Sequence, residues 1–340
     1  MSAPRIALDV MGGDKAPDAI LRGALLAVSP QAKWKMAPQR ILLVGDQTVI
    51  RAKLAEFGGD PGFAIQHASQ VIGMGESPEV ALRAKRDSSI SVMIGATKAG
   101  AAGAAVSMGN TGAVVGAATL GLGMLPGVLR PGIAVTISMT GAPVTFLDMG
   151  ALVSPKPEHL MQFGVMGSVY SHDVLGSASP RVGLLNIGEE ESKGTDVHKT
   201  AWKLLKESGL NFVGNLEGND LFSNRAEVVV TDGFTGNVVL KLMEEFAGFM
   251  LKLTITEVGA QGIKVPPEAL VRVKKHIDYS EYGGALLLGV NGIVIIGHGR
   301  SDETAVANAL SLGARALDAN VNAHIVSGLS KAGASGAAST

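Results

Sequence analysis

The chain has no cysteine in its 340 residues. That removes disulfides, thiolate metal sites and a cysteine nucleophile, while leaving the compartment open. Neither sign of charge dominates: 29 basic residues face 30 acidic ones, for a formal net charge of −1. No bulk attraction to nucleic acid or to an anionic membrane follows from that balance. The dinucleotide fingerprint G-x-G-x-x-G is missing, which counts against a nicotinamide dehydrogenase. The G-x-S-x-G elbow of serine hydrolases is missing too. The histidines are scattered, and no Asp or Glu spacing matches a known metal cage, so neither metal nor cofactor is expected. A secretory signal would need a longer apolar core than the opening residues supply, because Arg5–Val10 already reads as a strand.

What the chain does have is glycine, 45 of them, with few aromatics (4%) and modest charge. That composition suits an α/β enzyme with many tight turns. Residues 99–129 carry no charge and are long enough to suggest a membrane span. Ser107, Asn110, Thr111, scattered glycines and Pro126 interrupt the run, so a buried strand followed by a buried helix explains it better. Residues 283–297 are too short and are broken at Asn291-Gly292.

Strands and helices alternate along the chain. Arg5–Met11, Ile41–Val44, Phe63–His67, Ala104–Val106, Ile133–Ile137, Val144–Leu147, Val182–Ile187, Phe212–Gly214, Glu227–Thr231, Ala285–Gly289 and Ile293–Gly297 read as strands. Asp46 is a predicted N-cap for Thr48–Phe57. A long helix after Asp232 carries Val238, Val239, Leu242, Met243, Phe246 and Phe249 on its apolar side, and one helix is predicted from Glu303 toward Val326. The alternation predicts a mostly parallel sheet with helices on both faces, organised as one large two-lobed α/β domain over residues 1–330 with a frayed tail at 331–340. Ligands in such folds bind at the carboxyl ends of strands, near a switch in strand order.

Every polar, glycine-rich loop follows a strand. Ser107-Met108-Gly109-Asn110-Thr111-Gly112 stands between a strand and a helix, where main-chain N–H groups and a positive helix end suit a phosphate. The same residues also fit an ordinary turn capped by Asn or Thr. Asp9-x-Met11-Gly12-Gly13-Asp14 is a second such loop, or simply a tight turn. In Glu189-Glu190-Glu191-Ser192-Lys193-Gly194, Lys193 falls at a helix start, where the macrodipole disfavours a cation; a bound phosphate or a glutamate partner would offset that. Asp232-Gly233-Phe234-Thr235-Gly236-Asn237 offers donors, with Asp232 either orienting a neighbouring Lys or His or capping the helix. His298, between glycines and next to Arg300, also follows a strand.

Taken together, five ordered blocks resemble the bacterial acyl-acyl carrier protein:phosphate acyltransferase family. They are Ile6-Ala7-Leu8-Asp9-Val10-Met11-Gly12-Gly13-Asp14-x-Ala16-Pro17, Ser107–Ala113, Asn186-Ile187-Gly188-x-Glu190-x-x-Lys193-Gly194, Asp232–Asn237, and Tyr282-Gly283-Gly284-Ala285-x-Leu287-Leu288-Gly289. The resemblance implies a fold similar to isopropylmalate dehydrogenases and phosphotransacetylases, and a homodimer. It implies transfer of a fatty acyl group from a carrier-protein thioester to inorganic phosphate, the product going to a membrane acyltransferase that begins phospholipid synthesis. Ser107, Gly109, Asn110, Thr111 and Gly112 are then expected to hold phosphate, with Asp9, Gly12, Gly13 and Asp14 as a substrate loop. Lys193 would neutralise charge, Asn237 or His298 would serve the oxyanion or the leaving sulfur, and Asp232 would orient. The protein is expected in the cytoplasm, with transient membrane contact through Leu251–Val271 and the basic residues Arg272, Lys274 and Lys275. Two other readings stay open: a short-chain phosphotransacylase using coenzyme A, and a non-catalytic phosphate- or nucleotide-binding scaffold at the membrane.

Overall fold

Strand β1 (Ile6–Asp9) is buried along its whole length, as a central parallel strand covered on both faces must be. It is flanked by two parallel partners, β2 (Ile41–Gly45) and β4 (Ala104–Ser107). Beyond β2 lies β3 (Ala64–His67), also parallel. On the other side β11 (Ile293–Ile296) runs parallel to β4 and pairs antiparallel with β10 (Ala285–Leu288). The order is therefore β3-β2-β1-β4-β11-β10. The chain moves outward from β1 to β3 and then returns to add β4 on the opposite side, so the switch point falls between β1 and β4.

The computed structural model describes residues 3–138, 141–270 and 279–337. The chain divides into two compact units, the first Met1–Pro131 with Tyr282–Val326 and the second Gly132–Glu281 with Ser327–Thr340. Helices α1 (Asp18–Val28), α2 (Gln47–Glu56), α3 (Pro78–Ala84), α4 (Ser89–Lys98) and α5 (Thr111–Leu122) belong to the first unit, as does the helix Glu303–Asp318. Asp46 caps α2 as predicted, accepting from Thr48 and Val49 N–H at 2.8 and 3.2 Å. Helix α4 packs on β1, β2 and β4, and Glu303–Asp318 packs on β1, β4 and β11. The uncharged run resolves into β4 and α5, and no helix among the described residues is long and apolar enough to cross a membrane.

In the second unit the order is β5 (Gly132–Ile137), β6 (Val144–Leu147), β9 (Val228–Val230), β7 (Val182–Leu185), β8 (Phe212–Leu216). Only β5 is antiparallel to its neighbour β6. Helices α6 (Pro157–Asp173), α7 (Asp196–Glu207) and α8 (Gly233–Ala260) belong to it. Gly164 and Gly167 let α6 lie close: a Cβ there would sit 2.6 Å from Leu205 and from Val228 respectively.

Two expectations need correction. The helix predicted from Glu303 toward Val326 breaks in two, Glu303–Asp318 (α9) and Val321–Ala337 (α10), because Asn320 adopts φ 53°, a left-handed conformation that ends a helix. Helix α10 also takes in most of the expected frayed tail; the stretch is rich in alanine, the strongest helix former, and Ala332 on it is buried. The apolar side of α8 is not packed into its own unit. Val238, Leu242, Phe246 and Phe249 are all more than half exposed, and only Gly233 and Gly236 of the helix are buried. The expected basic cluster Arg272, Lys274 and Lys275 lies outside the described residues.

Candidate active site

In the first unit the adjacent parallel strands β1, β4 and β11 release three loops at their carboxyl ends, around the switch point. The loops touch through their backbones. A Cβ on Gly12 would overlap Asp9 Oδ2 and come within 2.9 Å of Gly109 N. Gly13, at φ +103°, lies against Met108 and the Gly299 carbonyl. Asp14 N–H donates to that carbonyl at 2.8 Å. His298 is half-buried and its Nδ1 accepts from Arg300 N–H at 3.1 Å, which leaves the ring proton on Nε2 as a donor. The sequence-predicted residues Asp9, Gly12, Gly13, Asp14, Ser107, Gly109 and His298 are thus brought together.

Their side chains are not free to do everything expected of them. Asp9 is fully buried, and its carboxylate accepts from Ser107 Oγ at 2.7 Å and from Met11 N–H at 3.1 Å. Burial pushes its carboxyl above the ordinary value, and hydrogen bonds from Ser107, Ser89, Met11 and Gly12 pull part of the way back. Ser107 Oγ in turn accepts from Gly109 N–H at 3.0 Å. Asn110 is spent at both ends of its amide. Oδ1 caps α5 by accepting from Ala113 N–H at 3.0 Å, and Nδ2 donates to the carbonyls of Gly73, Met74 and Glu76 at 3.3, 3.1 and 3.0 Å. What remains open is main chain: among the described residues, none accepts a hydrogen bond from the N–H groups of Asn110, Thr111 or Gly112. Three consecutive unpaired donors at the positive end of α5 suit an anion with several acceptor oxygens.

The second unit repeats the plan with β6, β9 and β7, whose carboxyl ends lead into the loops 148–152 and 186–194 and, after β9, into the capped start of α8 at 232–237. Its chemistry differs. Asp232 is a cap: Oδ1 accepts from Phe234 and Thr235 N–H, each at 2.9 Å, and Oδ2 accepts from Thr235 Oγ1 at 2.7 Å. Gly233 N–H is taken by the Leu152 carbonyl at 2.8 Å. The N-terminus of α8 is therefore closed where that of α5 is open. Asn237 is half-buried beside Gly150, and its amide makes no hydrogen bond to a described residue, so it is available to a ligand. Lys193 is half exposed and stands 3.9 Å from Glu190. Its backbone is held by Asn186 Nδ2, which donates to the Lys193 carbonyl at 3.2 Å.

Sequence reasoning missed Asp148 and His198. Asp148 is buried, and its carboxylate accepts from the N–H groups of Ile133, Gly150, Ala151 and Leu152 at 2.7–3.0 Å. Burial raises its carboxyl, and those four donors lower it. A signal was present: Leu147-Asp148-Met149-Gly150 echoes Leu8-Asp9-Val10-Met11-Gly12, an apolar strand ending in Asp and then Met-Gly. His198 sits with Nδ1 2.8 Å from Thr195 Oγ1; burial lowers its pKa and the charge of Asp232 raises it. Nothing in the sequence set this histidine apart.

The family described as "Fatty acid synthesis protein" matches residues 4–324. A "Phosphate acyltransferase" from Pelotomaculum thermopropionicum is 45% identical over 319 residues, 92% of each chain. One from Desulforudis audaxviator is 44% identical over 330 residues, 96% of each, and one from Bacillus licheniformis is 42% identical over 330 residues, 94% of this chain and 97% of that one. Among solved structures, the EutD phosphotransacetylase from Staphylococcus aureus superposes with a TM-score of 0.61 at 14% identity, covering 93% of this chain and 94% of that one. A 4-hydroxythreonine-4-phosphate dehydrogenase from Klebsiella pneumoniae gives 0.52 at 13% identity, covering 92% and 98%. At such identities these structures bear on the fold alone: an α/β fold with a mostly parallel sheet flanked by helices, shared by phosphotransacetylases and a dehydrogenase.

Proposed function

The chain belongs to the fatty acid synthesis protein family and is an acyltransferase like its phosphate acyltransferase relatives, and from that premise we propose that it moves a long-chain fatty acyl group from the thioester of an acyl carrier protein to inorganic phosphate. A phosphate oxygen attacks the thioester carbonyl carbon, the C–S bond breaks, the carrier leaves as its thiol, and an acyl-phosphate remains for a membrane acyltransferase of phospholipid synthesis. Phosphate is itself the nucleophile, so a chain without cysteine needs no covalent intermediate.

The observation that carries the proposal is the set of unpaired main-chain donors at Asn110, Thr111 and Gly112. Those groups hold phosphate. Ser107 and Asn110 order the loop through bonds already made, while Gly12, Gly13 and Gly109 permit close approach. Lys193 neutralises charge that develops on the reacting oxygens. Asn237, or Nε2 of His298, donates to the oxyanion or the departing sulfur; one aimed donor typically contributes roughly 3–4 kcal/mol. Asp232 fixes the start of the helix that carries Asn237.

Acyl-phosphate release measured from a long-chain acyl-carrier thioester and, separately, from acetyl-coenzyme A tests the reading. Fast product formation from the first and little from the second is expected. The reverse ranking makes the protein a short-chain phosphotransacylase, which the shared fold alone permits, and no product from either makes it a binding scaffold.

The exposed stripe Val238, Leu242, Phe246 and Phe249 supports a homodimer, because so much apolar surface on one helix calls for a cover. Farther along, Leu253, Ile255 and Ile263 are also exposed, which supports transient docking of a cytoplasmic protein on the membrane that receives its product. Changing Leu253 and Ile255 together to Glu is expected to abolish flotation with anionic liposomes; unchanged flotation clears the segment of that role.

A further inference from the structure

We propose that Asp9 is a positioning residue for phosphate that never touches it, acting through the hydroxyl of Ser107. The inference rests on the phosphate reading of the loop after β4 and adds the device that aims that loop. Asp9 has no exposed surface, so direct contact with a substrate is closed to it. Every bond to its carboxylate comes from a donor: the Ser107 hydroxyl, the Ser89 hydroxyl and the N–H groups of Met11 and Gly12. A group that meets only donors acts as an acceptor and an anchor, not as a base that exchanges protons with substrate.

The direction of the Ser107 hydroxyl is the consequence. Its single proton is committed to Asp9 at 2.7 Å, so toward Gly109 the oxygen presents only lone pairs. It accepts the Gly109 N–H at 3.0 Å. That bond sets the peptide preceding the three unpaired donors and turns the chain into α5. The same carboxylate also holds the loop after β1, through Met11 and Gly12, against Gly109. One buried carboxyl group therefore clamps two loops from neighbouring strands at the switch point. Without it Ser107 is free to turn its proton toward the ligand or the solvent, and the Gly109 peptide loses its stop.

The clamp makes distinct kinetic and folding predictions. Burial raises the Asp9 carboxyl, so above that raised value its charge opposes folding; Asp9→Asn removes the buried charge and is expected to keep the melting temperature. The KM for phosphate should rise by roughly fivefold or more, while the KM for the acyl-carrier thioester stays within about twofold, because only the anion relies on the aimed donors. Ser107→Ala, which deletes the hydroxyl and adds no new group, should give the same pattern. The double variant should be no worse than the poorer single one, since both changes break one device.

Steady-state kinetics in both substrates, on the full chain, provide the test. A phosphate KM unchanged in Asp9→Asn and in Ser107→Ala overturns the inference, and so do effects that multiply in the double variant. If Asp9→Asn does not fold, the phosphate KM of Ser107→Ala decides alone. Crystals soaked in phosphate separate this from the parent reading. An anion on 110–112 with unchanged kinetics refutes only the clamp, whereas an anion bound elsewhere refutes the seat itself.

Discussion

Gly12→Ala is expected to lower kcat/KM for phosphate about a hundredfold, the range seen when a preorganised donor is lost. The reason is steric. The new methyl group would overlap the Asp9 carboxylate and press on the Gly109 main chain at 2.9 Å. Neither neighbour is the far end of a flexible side chain: one is a buried carboxylate held by several donors and the other is backbone. The loops after β1 and β4 must therefore separate, and the donors at Asn110, Thr111 and Gly112 lose their aim. Gly95→Ala is the matched control, because a Cβ there meets nothing within 4 Å. Assays of both variants at saturating thioester, with circular dichroism to confirm folding, check the expectation; a Gly12→Ala enzyme with ordinary phosphate kinetics would remove that loop from the site.

Lys193→Ala is expected to lower turnover on an acyl-carrier thioester by at least roughly tenfold, with folding intact. Its partner Glu190 is 3.9 Å away and both side chains are largely in solvent, so the pair itself holds little stability. The backbone of the loop is secured independently, by Asn186 on the Lys193 carbonyl and by Glu190 O on the Lys193 N–H. A loss of rate with an unchanged melting curve therefore reports on charge at the reacting atoms. Near-normal rates would take Lys193 out of the chemistry.

Much of the scaffold was readable because its signals are local. The apolar runs of β1, β2 and β4, and the cap at Asp46, each depend on residues a few places apart. The loops were readable for the same reason, since strand, glycines and helix follow one another directly. What was not readable is where the side chains spend their hydrogen bonds. Ser107 and Asn110 looked like ligand donors; one is committed to Asp9 and the other to the carbonyls of Gly73, Met74 and Glu76, all remote in sequence. Asp232 left two roles open, and local geometry shows the capping one. On α8 the periodicity of Val238, Leu242 and Phe246 was plain, but periodicity identifies an apolar face without saying what covers it. Asp148 stays hidden although the sequence around it echoes that of Asp9, because the repeat is short and out of step by one residue between Asp and Met-Gly.

The placement of β11 beside β4 also constrains how the polypeptide is made. A ribosome delivers β4 long before β11, and the Gly132–Glu281 part of the second unit is synthesised in the interval. Until Ile293–Ile296 emerges, β4 presents an unpaired edge, and the wall that brings His298 and Gly299 to the Asp14 loop does not exist. A nascent chain stalled before that strand thus carries an unpaired sheet border and an unfinished pocket, and the pairing that closes them joins segments far apart in sequence, the kind that generally forms slowly.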